Sequence, residues 1–145
     1  EQHPGIDYQI LGTDISTRIL EKAKRAIYGM DRIEVINNSL KKKYLLRSKD
    51  ASKELVRIVP KLRAHTQFTR LNLMDDIYHL PDDFDFVFCR NVLIYFDRPT
   101  QEKVINKLCK HIVKGGYLFL GHSESITGQN VPLKQIKPTI YQVIK

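Results

Sequence analysis

Short apolar runs that alternate with amphipathic helical segments constrain this chain more than any other feature. "YQILGTD" (8–14), "HTQFTRLNLMD" (65–75), "FDFVFCRN" (84–91) and "YLFLGHS" (117–123) have the length and apolar content of buried strands, and "PTIYQVIK" closes the chain as a last one. Between them, "ISTRILEKAKRAIYG" sets Ile15, Ile19, Ala23, Ala26 and Ile27 on one helical face, with Ser16 or Thr17 as cap and Gly29 as stop. "RPTQEKVINKLCKHIVKGG" predicts a second helix with Pro99 in its first turn. Its stripe is Val104, Ile105, Leu108 and Ile112, and Gly115-Gly116 end it. Strands alternating with helices in this way predict an α/β fold with a doubly wound, mostly parallel sheet. Only residues 32–70 break the rhythm. There "KKKYLLRS" and "KELVRIV" read as short strands joined by the polar turn "KDAS", a small antiparallel β excursion over about 36–64.

At 145 residues the chain has room for one domain and a core of fair size. No run reaches the ~18 apolar residues of a membrane-spanning helix. "EQHPGIDYQI" has neither a basic leader nor an apolar core, so no secretory signal is expected there and the expected location is cytoplasmic. Cys89 and Cys109 sit in apolar surroundings without metal-like spacing, which suits buried thiols in a reducing compartment. His65, His79 and His111 lack ligand-like spacing too, and no metal site is expected.

The net charge of +8 is concentrated. Residues 32–70 hold eleven Lys and Arg against Glu34, Asp50 and Glu54, and the rest of the chain is balanced at thirteen of each sign. A basic patch confined to one segment suggests one face meeting an acidic partner, or else a solvated loop. The aromatic residues that stack bases are not interleaved with this charge, which argues against nucleic acid.

"DFVFCRNVLIYFDRPT" (85–100) sets Arg90 and Asn91 between two apolar runs, where burial of either polar group would cost several kcal/mol. In open α/β sheets ligands collect beyond the carboxyl ends of the strands, and both residues fall where the strand at 84–89 emerges. Other strand ends carry polar groups as well: Asp14, then Asn72 ahead of Asp75 and Asp76, then His122, Ser123 and Glu124. A carboxylate at Asp14 is placed to accept the two vicinal hydroxyls of a ribose; it also suits a helix cap beside Ser16. "GHSES" invites a hydrolase reading, but a nucleophile elbow needs Gly-x-Ser-x-Gly and Ser125 occupies the last position.

Taken in order, "LGTDIS", "LNLMD", "FCRNVLIYFDRPTQEKVINKL", "GGYLFLGHSES" and "PTIYQV" closely resemble the chemotaxis-receptor methyltransferase (CheR) family, over about residues 8 to 145 and most loosely at 36–64. The resemblance implies a Rossmann-like methyltransferase that moves a methyl group from S-adenosylmethionine to receptor glutamates, leaving S-adenosylhomocysteine. It implies that Asp14 holds the ribose hydroxyls, that Asn72 and Leu73 border the adenine, and that Arg90 and Asn91 line the cofactor pocket. Tyr95 would lie beside the reacting centre as the catalytic residue, unless it is a core aromatic in its apolar run. Glutamate, with an ordinary pKa of about 4.3, is already ionised near neutral pH. It needs no general base, only an aligned approach to the methyl group in a site shielded from water.

By the same resemblance the partners are cytoplasmic segments of chemoreceptors, and the small β excursion matches the family's β-subdomain, which in some members docks a receptor tail peptide. The family's first strand with its glycine-containing loop, a helical N-terminal domain and a substrate-facing arginine would lie upstream of residue 8. The chain therefore reads as the C-terminal portion of one methyltransferase domain, inactive alone and completed by an upstream segment or a second copy. Two other readings compete: a non-catalytic module that grips an acidic receptor segment through residues 32–70, and a nicotinamide oxidoreductase, which finds no Gly-x-Gly-x-x-Gly in its support.

Overall fold

Strand β1 (Ile10–Asp14) pairs in parallel with β5 (Thr66–Arg70), from Ile10 opposite Thr66 to Asp14 opposite Arg70, in the computed structural model of the chain. The structure describes residues 5–50 and 52–145. It divides into two units, one running to Asn72 and the other from Leu73 to Lys145.

In the first unit, helix α1 (Thr17–Arg25) follows β1 after one turn. The Ser16 hydroxyl caps it by accepting from the Ile19 amide at 3.4 Å. The helix ends four residues before Gly29, because Ala26 takes the left-handed conformation (φ 53°) and closes it. Ile27 thus leaves the predicted helical face and enters strand β2 (Ile27–Gly29), and Ile15 and Ile19 are exposed while Leu20 and Ala26 are buried. A 3-10 turn (Met30–Ile33) leads to helix α2 (Asn38–Tyr44), capped by Asn37, whose side chain accepts from the Ser39 amide at 2.9 Å. "KKKY" is therefore helical, contrary to the strand expected there. Strands β3 (Leu45–Arg47) and β4 (Leu55–Ile58) do form the expected antiparallel hairpin, and β4 is the centre of a three-stranded sheet ordered β2-β4-β3. Helix α3 (Pro60–Arg63) is one turn that feeds β5.

The second unit is a four-stranded sheet ordered β6-β7-β9-β8 with one long helix on it. Strand β6 (Phe84–Cys89) leads through the loop at 90–97 to helix α4 (Arg98–Lys110), where Asp97 accepts from the Thr100 amide at 2.9 Å and Pro99 occupies the first turn. Strand β7 (Ile112–Leu120) returns parallel to β6. The helix stops before the glycine pair, which lies inside β7 at a register irregularity. A Cβ on Gly116 would come within 2.9 Å of the Asp85 carbonyl oxygen, so the glycine permits a close backbone approach and caps nothing. Strands β8 (Leu133–Lys137) and β9 (Ile140–Val143) close the sheet as an antiparallel hairpin with Thr139 left-handed at its turn. The core joins Val104, Ile105 and Leu108 of α4 to Ile112, Leu118, Leu120 and Val143 of the sheet. Both units thus have mixed α/β content, with parallel pairs β1·β5 and β6·β7 beside antiparallel ones.

Candidate functional site

The parallel register of β1 and β5 sets Asp14 and Asn72 at one end of their ladder. The Leu71 amide donates to the Asp14 carbonyl at 3.1 Å, which puts Asn72 one residue beyond that bond. The half-buried Asp14 carboxylate accepts from the Ser16 amide through Oδ1 at 2.7 Å, so its turn-forming role is real. That bond uses one oxygen and orients the other, which suits a carboxylate that would also accept from ribose hydroxyls. The remaining predicted residues belong to the second unit. The Leu73 carbonyl is taken up by the Tyr78 hydroxyl at 2.7 Å and the Lys107 ammonium at 2.9 Å.

Arg90 and Asn91 are exposed where the chain leaves β6, so their place between apolar runs does not bury them. Asn91 is left-handed at φ 58°, a conformation that asparagine tolerates better than most residues. Behind this turn lies a carboxylate. Glu124, only 7% exposed, accepts from the amides of Asn91 (3.0 Å), Val92 (2.8 Å), Leu93 (2.8 Å) and Gly121 (2.5 Å). Burial pushes its acidity toward the neutral form, but the four N–H donors outweigh burial and hold the carboxyl below the ordinary carboxylate range. Gly121 must lack a side chain here, since a Cβ would sit 2.7 Å from the Glu124 carboxylate and 2.8 Å from Asn91 Oδ1.

The loop is held from its other side by Gln101 of α4, whose amide donates to the carbonyls of Leu93 (3.0 Å) and Phe96 (2.9 Å). Leu93 itself is buried in the core at 1% exposure. Tyr95, two residues on, is 80% exposed, so it is no core aromatic. The loop at 90–96 is thus pinned by its backbone and by Leu93, and presents Arg90, Asn91 and Tyr95 outward. The sequence shows Glu124 as a polar group after a strand, but not its role: its three partners in the loop lie 31 to 33 residues away.

Two further groups bear on the chemistry. Cys89 and Cys109 are free and buried; burial, reinforced by the Glu124 charge, pushes the Cys89 thiol up to about 12, and burial pushes Cys109 up to about 11. Both stay protonated near neutral pH and are poor nucleophiles. A cavity of about 400 Å3 lies between the 76–82 loop and the end of α4, lined by Tyr78, His79, Lys107 and His111 among others, and none of the six predicted site residues lines it.

The family description that matches this chain is that of the CheR methyltransferase SAM-binding domain, over residues 1–142. The chain belongs to the CheR methyltransferase family. Among curated relatives of this family, the chemotaxis protein methyltransferase of Borreliella burgdorferi is 39% identical over 143 residues, covering 97% of this chain and 49% of its own length. That of Klebsiella aerogenes is 40% identical over 119 residues, 82% of this chain and 41% of its own. That of Escherichia coli is 34% identical over 120 residues, 83% of this chain and 42% of its own. The chain therefore spans about half the length of the CheR relatives it matches. No described helix is long and apolar enough to cross a membrane.

Proposed function

We propose that the intact protein transfers a methyl group from S-adenosylmethionine to glutamate side chains in cytoplasmic segments of chemoreceptors, and that it works in the cytoplasm. The observation that carries this reading is family membership across nearly the whole chain, joined to the polar strand ends of both units. When bound, the cofactor supplies an electrophilic sulfonium methyl group. Asp14 would hold its ribose through the carboxylate already oriented by Ser16, with Asn72 and Leu73 bordering the adenine and Arg90 and Asn91 lining the pocket. Tyr95, exposed on a pinned loop, would orient the incoming carboxylate by a hydrogen bond. That carboxylate arrives ionised, since its ordinary pKa is about 4.3.

The parallel pairs β1·β5 and β6·β7 are each what a doubly wound methyltransferase sheet contains. We read the outer edges of β1 and β6 as completed by a further strand or a second copy, and the 145 residues alone as inactive.

Asp14→Asn tests the reading. Asparagine keeps an oxygen for the Ser16 amide, so the turn survives, while the charge that favours two hydroxyl donors is lost. Calorimetry of the intact protein with S-adenosylhomocysteine should show affinity lower by about ten- to a hundredfold, the equivalent of 1.5–3 kcal/mol. Unchanged affinity would leave Asp14 as a turn former only.

A second reading rests on the basic window. Of its eleven cations, Arg32 and Lys53 pair with neighbouring acids in solvent, at 3.6 and 3.2 Å, contacts of small worth. In this reading the β2-β4-β3 sheet and its flanks grip an acidic receptor segment, such as a tail peptide, without catalysis. Binding of such a peptide should weaken steadily from low salt to about 1 M, where charges are screened beyond about 3 Å. Affinity that holds constant across that range removes the patch as the docking surface.

A further inference from the structure

We propose that Glu124 is a positioning residue of the methyl transfer: it holds the loop at 90–96 so that Tyr95 is presented in one orientation before any ligand arrives. The inference rests on the function proposed above and extends it to a residue that touches neither cofactor nor substrate.

The geometry of the carboxylate carries it. One buried anion gathers four backbone N–H groups, three of them consecutive in the loop and the fourth, Gly121, at the end of β7. Three consecutive amides can converge on one carboxylate only if the chain turns sharply around it, and Asn91 makes that turn by going left-handed. Such a conformation in a residue other than glycine persists where its surroundings enforce it. The Glu124 amide also donates to the Gly121 carbonyl at 3.1 Å, so the acid is anchored in a tight turn at the strand end. The loop is thereby fixed to β7 and, through Gln101, to α4.

The bracket runs from the surface to the core: of the loop residues whose amides it binds, Asn91 is exposed, Val92 half-buried and Leu93 buried, and Tyr95, two residues past the last bonded amide, is 80% exposed. Leu93 anchors the loop in the core, and the bonds to the Asn91 and Val92 amides extend that hold to the solvent-facing turn. A reaction that depends on aligning one carboxylate with one methyl group gains from such a hold, because orientation set in advance need not be gained during the reaction.

The test combines amide hydrogen exchange with a double-mutant cycle in the intact protein. Glu124→Gln keeps the volume but turns one acceptor into a donor facing the amides. The amides of Asn91, Val92, Leu93 and Gly121 should exchange about tenfold faster or more, while those of the β7–β9 ladder keep their protection. Turnover at saturating cofactor and substrate should fall about tenfold for Glu124→Gln and for Tyr95→Phe, with the KM for cofactor nearly unchanged in both. The double variant should be little slower than either single one, because both remove the same oriented hydroxyl. Gly121→Ala perturbs the bracket without altering its charge, and should show the same non-additivity with Tyr95→Phe if Glu124→Gln proves unstable. Losses that multiply, or loop amides that exchange at the wild-type rate, overturn the positioning role. A wild-type protein that methylates no glutamate side chain overturns the functional reading instead, and the inference with it.

Discussion

Leu93→Ala should destabilise the second unit by about 2–5 kcal/mol, a large share of the roughly 5–15 kcal/mol that holds a domain folded. Leu93 is 1% exposed and is the only side chain of the 3-10 turn Leu93–Tyr95 that is buried. Its backbone is committed on both sides, the amide to Glu124 and the carbonyl to Gln101. The vacated space therefore cannot close by letting the loop sink inward without breaking those bonds. Ile94 is the internal control: it neighbours Leu93 and is 48% exposed, so Ile94→Ala should cost less than about 1 kcal/mol. Urea unfolding of the two variants measures the difference. A Leu93→Ala cost no larger than that of Ile94→Ala would mean that the loop is held by its polar bonds alone.

The elements that were legible in the sequence are those whose pattern is local. Helix α4 shows itself by a first-turn proline and an apolar stripe, and β6 by a mostly apolar run. Asp14, Asn72, Arg90 and Asn91 stand out in the sequence as polar groups at strand ends, where an open α/β sheet collects its ligands. The elements that were missed lack a face to bury. Helix α2 has no buried residue, so "KKKYLL" carries no helical period, and its only signal was Asn37 as a cap. Strand β8 is half-buried at Leu133 and exposed over Lys134–Lys137, which hides its alternation. Strand β2 was hidden because Ile27 continues the spacing of α1, and nothing local marks Ala26 as the left-handed residue that ends the helix. By the ordinary rule the glycine pair at 115–116 reads as a helix stop, and only the structure shows why two glycines stand inside a strand: Gly115 adopts φ 81°, and Gly116 lets the Asp85 carbonyl approach. The Glu124 bracket depends on a contact between distant segments that no window of sequence contains.

The 145-residue chain on its own should self-associate through the β6 edge, and Phe86→Lys with Phe88→Lys should return it to a monomer. Among the described residues strand β6 bonds to β7 on one side only, leaving a row of backbone groups without a strand partner on the other. On the adjoining face Phe86 is 58% exposed and Phe88 69%. Their rings stack on β7, Phe88 against Phe119 at 4.5 Å and Phe86 against Tyr117 at 6.1 Å, so the exposed surface is a continuous aromatic patch and not scattered single residues. An open edge beside an apolar patch is the combination that recruits another chain, and edge lysines are a common means of preventing it. Because both side chains are already exposed and stand clear of the core under α4, the substitutions should cost the isolated chain little stability. Light scattering at micromolar concentration should show an oligomer for the unaltered chain and a monomer for the double variant. A wild-type chain that is monodisperse and monomeric would sink the expectation. The same two substitutions in a protein of the relatives' full length separate the two ways of covering this face. If a further strand of the same polypeptide lies there, that protein is monomeric and the lysines cost it several kcal/mol, because charge is then forced into a buried interface. If a second copy lies there, the lysines leave each protomer folded and dissolve the dimer.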